Sequence, residues 1–244
     1  MTKNQFRFWE IDFLRGIAVV MMIVFHFFYD LNFFSIYKID WHSGYFLLFL
    51  YSIGTIFILL VGLSLSLSHS RIEGNKNKKQ LLFKIILRGS KIFGLGILIT
   101  LATWIYLRDG FVLFGVLHCI GLSIIIAYPF LRFKIRNLII GSLLVSIGIY
   151  LKTLTFDFSW LFWMGFKPSQ FYTVDYFPIL PWFGVVLIGI FVGNTFYPSN
   201  KRRFKLKDVS RVIFVKFFCF LGRHSLIIYF LHQPVILVLL SILT

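Results

Sequence analysis

One long apolar stretch near the start of the chain carries ionisable side chains at regular spacing: Asp12, Arg15, His26 and Asp30. At about 100° per residue of an α-helix, these four residues lie within an arc of about 60° on one helix face. Ionisable groups inside an apolar helix are costly unless they are paired or face a cavity. The stripe is therefore a candidate functional site.

The spacing within the stripe suggests base chemistry. His26 and Asp30 are four residues apart, so the carboxylate can reach one imidazole nitrogen and raise the basicity of the other. We therefore predict that His26 is a catalytic general base and that Asp30 orients it. The structural alternative is a buried His–Asp pair that ties helices together, and Asp12 with Arg15 could equally be an ion pair at the membrane interface.

Two later apolar stretches also carry polar side chains. His118 lies between Gly115 and Gly121, where small residues let a neighbouring helix or a ligand approach closely. In the last stretch, Ser225, Tyr229 and His232 share a face, with Arg223 at its start. A hydrogen-bonded packing role is the alternative for both histidines.

Composition indicates the kind of protein that must position these residues. The chain has 244 residues, of which 59% are hydrophobic and 14% are charged, whereas about a quarter of residues are charged in soluble domains. An ordinary soluble domain is therefore excluded. Apolar runs that can form spanning helices lie at roughly 11–34, 45–67, 85–107, 111–131, 137–151, 178–197 and 224–243. These runs predict an all-α, polytopic membrane bundle of about seven helices.

The formal net charge of +16 would suggest nucleic-acid binding in a soluble protein, but here it reports topology. Basic residues concentrate in the connections 68–84, 132–136 and 201–216, which alternate with connections that carry few of them. The positive-inside rule then places the N-terminus in the cytoplasm and the C-terminus outside. We expect a multi-pass protein of the cell membrane and no nucleic-acid partner. The first apolar run offers no cleavage site and should remain as a span.

Two connections have unusual compositions. The segment 152–177 is too aromatic for a solvated linker, which favours an anchor in the outer interface; a lid over an outward-facing site is the functional alternative. The segment 208–222 places Arg211 and Lys216 among apolar residues, which predicts an amphipathic helix on the inner surface.

The cysteines and histidines allow few cofactors. Cys119 and Cys219 are the only cysteines, so a disulfide framework or a cysteine-rich metal site is not expected. The histidines lack accompanying thiolates or carboxylates at ligand spacing, and we expect no metal. Histidines on different helices could ligate haem, but their expected depths in the membrane differ.

Five stretches resemble one family in order along the chain. They are residues 10–18 (EIDFLRGIA) followed by 26–30 (HFFYD), then 57–66 (FILLVGLSLS), 114–122 (FGVLHCIGL), 175–184 (DYFPILPWFG) and 221–234 (LGRHSLIIYFLHQP). This pattern resembles the transmembrane acyltransferase superfamily, within it the prokaryotic branch similar to heparan-α-glucosaminide N-acetyltransferase. The resemblance covers nearly the whole chain and implies a single acyltransferase-like domain over 1–244.

The resemblance implies an N- or O-acetyltransferase that takes an acyl group, usually acetyl, from cytoplasmic acyl-CoA. The acceptor would be a hydroxyl or amine of a sugar-type molecule on the outer side, either a glycan or a lipid-linked sugar. The family implies a catalytic histidine at the position of His26. Lysosomal members use a histidine before a tryptophan in the first outer loop, whereas here His42 follows Trp41, so His42 is the second candidate for the acyl-handling residue.

On this reading the remaining candidates bind substrate. Arg15 and Arg223 would bind the phosphates of acyl-CoA, with Asp12 and Ser225 beside them. Tyr229, His232 or His118 would donate a hydrogen bond to the developing oxyanion. Direct attack on the thioester and a route through an acyl-histidine are both open.

The same stripe also fits a rival class, a transporter or proton-coupled solute carrier that uses the His/Asp/Arg face as a relay. Inverted repeats and paired broken helices, common in transporters, are not visible in the sequence. Besides acyl-CoA, the acceptor and the lipid bilayer, a homodimer is one assembly that the sequence leaves open.

Overall fold

The described part of the computed structural model comprises residues 7–38, 40, 43–72 and 78–243. It is all-α, as predicted, and the described residues contain two isolated β-bridges but no strand. In chain order the helices are α1 (Trp9–Phe33), α2 (Gly44–Ile72), α3 (Lys78–Leu107), α4 (Val116–Ile126), α5 (Ile135–Leu151), α6 (Ile179–Phe196), α7 (Ile213–Arg223) and α8 (Ser225–Leu243).

Five of these helices are long and apolar enough to cross a bilayer: α1, α2, α3, α6 and α8. The apolar run 137–151 forms the shorter helix α5, and the run 111–131 is helical only over α4 and a single 3-10 turn, Tyr128–Phe130. Pro129 lies in that turn and cannot continue an α-helix. The chain is thus an integral membrane protein of the helical class; its orientation across the membrane stays a prediction.

The described helices belong to two compact units, one made of residues 1–57 with 206–244 and the other of residues 58–205. Helix α2 contributes to both. The expectation of a single acyltransferase-like domain over 1–244 stays a prediction.

In the first unit, α1 packs against α7 and α8. The contact with α7 depends on two glycines, because a Cβ at Gly16 would overlap the carbonyl of Phe218 and a Cβ at Gly222 would overlap the carbonyl of Asp12. Such close backbone approach is typical of helix pairs in membranes. It brings the end of α7, and with it Arg223, to the first turn of α1.

Helix α7 is shorter than the amphipathic helix predicted at 208–222. The side chain of Asp208 accepts a hydrogen bond from the backbone N–H of Ser210 at 2.9 Å, which fixes a turn ahead of the helix. Val215 and Cys219 are buried, whereas Phe214, Phe217 and Phe220 are exposed. The amphipathic character of this segment and its placement on the inner membrane surface both stay predictions.

In the second unit, α6 lies in the core, with Trp182, Val186 and Ile190 buried. It packs most extensively against α5, while α3 packs against α4. The aromatic connection 152–177 is folded: its end pairs with the extended segment before α4, since Val174 N–H donates to Gly110 O and Phe177 N–H to Phe114 O, both at 2.9 Å. This pairing positions the start of α4.

Candidate functional site

A charged cluster joins the first turn of α1 to the end of α7. The Asp12 carboxylate accepts from Arg15 at 3.1 Å through one oxygen and from the Nε of Arg223 at 3.2 Å through the other. Arg15 also reaches the carbonyl of Gly222 at 3.5 Å. Three residues predicted to bind the donor thus come together, and two guanidinium groups around one carboxylate leave the cluster net positive. Ser225, two residues beyond Arg223, begins α8 and is half-buried.

His26 lies on α1, eleven residues beyond Arg15. Its Nδ1 lies 2.9 Å from the backbone carbonyl of Met22, one turn earlier. A carbonyl oxygen only accepts hydrogen bonds, so this geometry assigns the proton of the neutral ring to Nδ1. The Nε2 atom of His26 therefore carries a lone pair, which is the form that a general base requires.

A second histidine faces the first. The rings of His26 and His232 have centroids 4.7 Å apart at an interplanar angle of 76°. The Nδ1 of His232 lies 2.7 Å from the carbonyl of Tyr229, so its proton is also on Nδ1. His232 is only 8% exposed, and its Nε2 has no hydrogen-bond partner among the described residues. The two imidazoles form one site with unprotonated Nε2 atoms; we call it the histidine pair.

The predicted hydrogen bond between Asp30 and His26 is not formed, which corrects the expected geometry. Both Asp30 oxygens instead accept from the amide nitrogen of Gln233, each at 2.9 Å. The carbonyl of Met22 takes the role expected of Asp30, because it lies within reach of Nδ1 on the same helix. Asp30 and Gln233 tie α1 to α8 beside the histidine pair.

Sequence reasoning missed Gln233. The available signal was an amide side chain in an apolar helix directly after His232, a position where a polar group needs a partner. The other amide atom of Gln233, Oε1, is buried and has no partner in the described structure.

His118 lies in the second unit and has a different environment. It is 3% exposed, stacks on Phe114 at 5.5 Å and meets the edge of Phe93 at 5.1 Å. Its Nδ1 accepts the backbone N–H of Gly115 at 3.2 Å, which assigns the proton to Nε2, and Nε2 lies 3.4 Å from the hydroxyl of Thr100. Both nitrogens are engaged, so the contacts of His118 are those of a packing residue.

The predicted oxyanion donors receive limited support from this geometry. Neutral His232 has no proton on Nε2, and the Nε2 proton of His118 is directed at Thr100. The ring of Tyr229 lies 5.7 Å from that of His232, so Tyr229 belongs to the same site. His42 lies outside the described residues.

Asp175 was quoted only as part of a family stretch, yet it has a defined position in the connection before α6. Its carboxylate accepts the backbone N–H of Val116, the first residue of α4, at 3.1 Å. A carboxylate is favourable at a helix N-terminus. Burial raises the pKa of Asp175 to about 6, while the hydrogen bond from Val116 acts in the opposite direction.

The fold and the site define a class, namely a helical integral membrane protein with a pair of facing imidazoles between two helices of one compact unit. The family model of the heparan-alpha-glucosaminide N-acetyltransferase catalytic domain matches residues 7–234. The chain belongs to this family, which confirms the resemblance and supports a membrane acetyltransferase kind of function. No curated protein and no solved structure matches the chain.

Proposed function

We propose that the protein is an acyl-CoA-dependent acetyltransferase of the cell membrane. It transfers an acetyl group from cytoplasmic acetyl-CoA to a hydroxyl or amine of a sugar-type acceptor on the outer side. The family match supports the reaction class. The observation that carries the assignment is the histidine pair, in which the Nδ1 of His26 is fixed by Met22 and its Nε2 is left as a base.

The chemical step follows from this base. Nε2 of His26 removes the proton from the acceptor OH or NH₂ group as its oxygen or nitrogen attacks the thioester carbonyl carbon. The carbon–sulfur bond then breaks, and the leaving thiolate of CoA takes the proton from the His26 imidazolium. Atoms and charge balance without a further reactant, and direct transfer needs no acyl-enzyme intermediate.

The charged cluster is the proposed binding site for the donor's phosphates. Arg223 contacts Asp12 through Nε, and a guanidinium carries further N–H donors that suit a phosphate. Eleven residues at 1.5 Å rise separate Arg15 from His26 by about 16 Å along α1. An extended pantetheine arm bridges such a distance and would bring the thioester to the histidine pair.

His232, Gln233 and Asp30 are proposed to support the base. The buried lone pair of His232 lies beside the ring of His26, so it can accept a hydrogen bond from the imidazolium that forms during transfer. The Asp30–Gln233 hydrogen bonds hold α8 against α1 and thereby fix the distance between the rings. Tyr229 is proposed to contact the acceptor beside His232, and Ser225 is proposed to contact the donor beside Arg223.

The test uses purified full-length protein in nanodiscs with acetyl-CoA labelled in its acetyl group and a soluble glucosaminide as acceptor. His26→Gln should lower kcat by about 10³-fold, since it removes the base. His224→Gln is the matched control: His224 also bonds its Nδ1 to a carbonyl four residues earlier, at 2.9 Å from Phe220 O, but it is exposed.

The outcomes separate the candidate histidines. Full turnover in His26→Gln together with loss of turnover in His42→Gln would show that His42, and not His26, is the catalytic histidine. If the wild-type protein neither binds acetyl-CoA nor releases CoA, the acetyltransferase assignment fails and the relay function of a transporter takes its place.

A further inference from the structure

Two connections and one helix of the second unit are joined at the end of α6. Asn194, two residues before that end, donates through its amide nitrogen to the carbonyls of Leu131 at 2.9 Å and Phe133 at 2.8 Å. Its amide oxygen accepts from the hydroxyl of Ser66 on α2. Asn194 therefore holds both α2 and the connection between α4 and α5 against the end of α6.

The segment after α6 is fixed at the same place. The backbone N–H of Arg203 donates to the carbonyl of Phe196, the last residue of α6, at 2.9 Å. Asn200 accepts from the Nε of Arg71 at 3.1 Å and donates to the hydroxyl of Ser70 at 2.8 Å. Three basic segments thus converge, and we call this region the basic end of the second unit. Its exposed cationic side chains include Arg132, Lys134, Arg136, Lys201, Arg203 and Lys205.

The described acidic residues of this unit lie elsewhere. Asp109, Asp157 and Asp175 belong to connections that precede α6 in the chain, and the 18 residues of α6 span about 27 Å. The side chains of Lys134 and Arg203 form no hydrogen bond or ion pair with another described residue. These two cations therefore lack a counter-charge in the described part of the chain.

Aliphatic side chains continue from the basic end along α5, which begins at Ile135. Ile135, Ile139 and Leu143 are exposed at 58%, 62% and 58%, and residues spaced by four share one helix face. A soluble anion needs cations but makes no use of such a stripe. An anionic phospholipid uses both, because its phosphate binds basic side chains and its chains require apolar surface.

We propose that the basic end binds the head group of an anionic phospholipid, whose chains lie along the exposed stripe of α5. Lys134 and Arg203 donate charge-assisted hydrogen bonds to the phosphate oxygens. The bound phosphate bridges two connections, so it stabilises the second unit. The predicted orientation places this end at the cytoplasmic leaflet. This site goes beyond the proposed acetyl transfer and shares no residue with it.

Native mass spectrometry of the full-length protein in detergent measures the lipid that it retains. Lys134→Gln/Arg203→Gln removes one lysine and one arginine from the basic end. The matched control, Lys167→Gln/Arg108→Gln, removes the same two charges from exposed positions in connections that precede α6. We expect the wild type and the control to retain dioleoylphosphatidylglycerol over dioleoylphosphatidylcholine. The apparent Kd for dioleoylphosphatidylglycerol should rise about tenfold in the first variant alone.

Thermal midpoints give a second readout in nanodiscs made of either lipid. Phosphatidylglycerol should raise the midpoint of the wild type and of the control more than that of Lys134→Gln/Arg203→Gln. Equal affinities of the two double variants for phosphatidylglycerol, or equal retention of both lipids by the wild type, would overturn the inference. Displacement of bound phosphatidylglycerol by coenzyme A would overturn it as well, because the basic end would then bind the acyl donor. Acetyl transfer is assayed separately, so its failure leaves the lipid site untouched.

Discussion

The histidine pair of the first unit and His118 of the second unit both lie on apolar helices, yet their hydrogen bonding is opposite. His26 and His232 each direct Nδ1 at a carbonyl of their own helix and retain an unprotonated Nε2. His118 accepts the Gly115 N–H at Nδ1 and directs Nε2 at Thr100. The pair has lone pairs left for chemistry, whereas His118 has none.

The comparison teaches that an intramembrane histidine is a site only when its nitrogens are not already satisfied. The rule that ionisable groups in membranes mark function selected all three residues equally. The hydrogen-bond partners of each ring distinguish them. Both nitrogens of His118 are paired, and the ring stabilises the start of a helix, whereas the histidine pair keeps nitrogens that can still bind a ligand.

Replacement of a histidine by phenylalanine gives the largest expected difference between the two regions. His232→Phe keeps the aromatic volume beside His26 but removes the unpaired Nε2, and we expect kcat to fall about 10²-fold. The thermal midpoint should change little. The assay is acetyl transfer in nanodiscs, with melting followed in parallel; an unchanged kcat would show that His26 acts without its neighbour.

The same substitution in the second unit should have the opposite signature. His118→Phe leaves the buried Gly115 N–H without its partner, so the free energy of unfolding should fall by about 2 kcal/mol. The kcat of the protein that remains folded should stay within about threefold of wild type, because the ring holds α4 rather than substrate. A large loss of kcat without loss of stability would return His118 to the substrate-binding residues.

A smaller effect concerns the carboxylate that binds the start of α4. Burial raises the pKa of Asp175 to about 6, so the folded protein binds this proton more tightly than the unfolded chain does. Stability should therefore decrease as pH rises from about 4 to about 6 and then level off, by roughly 1–2 kcal/mol after allowance for partial exposure.

Asp175→Asn should flatten that slope, because the amide does not titrate in this range. Melting temperatures of both proteins between pH 4 and pH 8 check this expectation. Parallel slopes in the two proteins would contradict the assignment to Asp175.

Much of the fold was predictable because apolar runs and helix length are both properties of local sequence. The seven predicted runs coincide with α1 to α6 and α8, and the stripe of α1 does bring Asp12 and Arg15 to one charged cluster. The run 111–131 was overestimated, since hydropathy does not report that the segment before α4 is extended and pairs with residues 174–177.

The site was less predictable because its hydrogen bonds compete across helices. Spacing alone allowed Asp30 to reach His26, but it could not show that Gln233 of α8 would take both carboxylate oxygens. Nor could it show that the i−4 carbonyl of Met22 would orient the imidazole. The tautomers, and with them the contrast between the pair and His118, appear only in three dimensions.

The central claim is tested most directly by the protonation of the histidine nitrogens. In protein labelled with ¹⁵N-histidine, long-range ¹⁵N–¹H correlations identify each tautomer, and the phenylalanine variants of His118 and His232 with His26→Gln assign the signals. We predict protonated Nδ1 and unprotonated Nε2 for His26 and His232, and the reverse for His118. A protonated Nε2 on neutral His26 would contradict the account, because the proposed base would have no lone pair to offer.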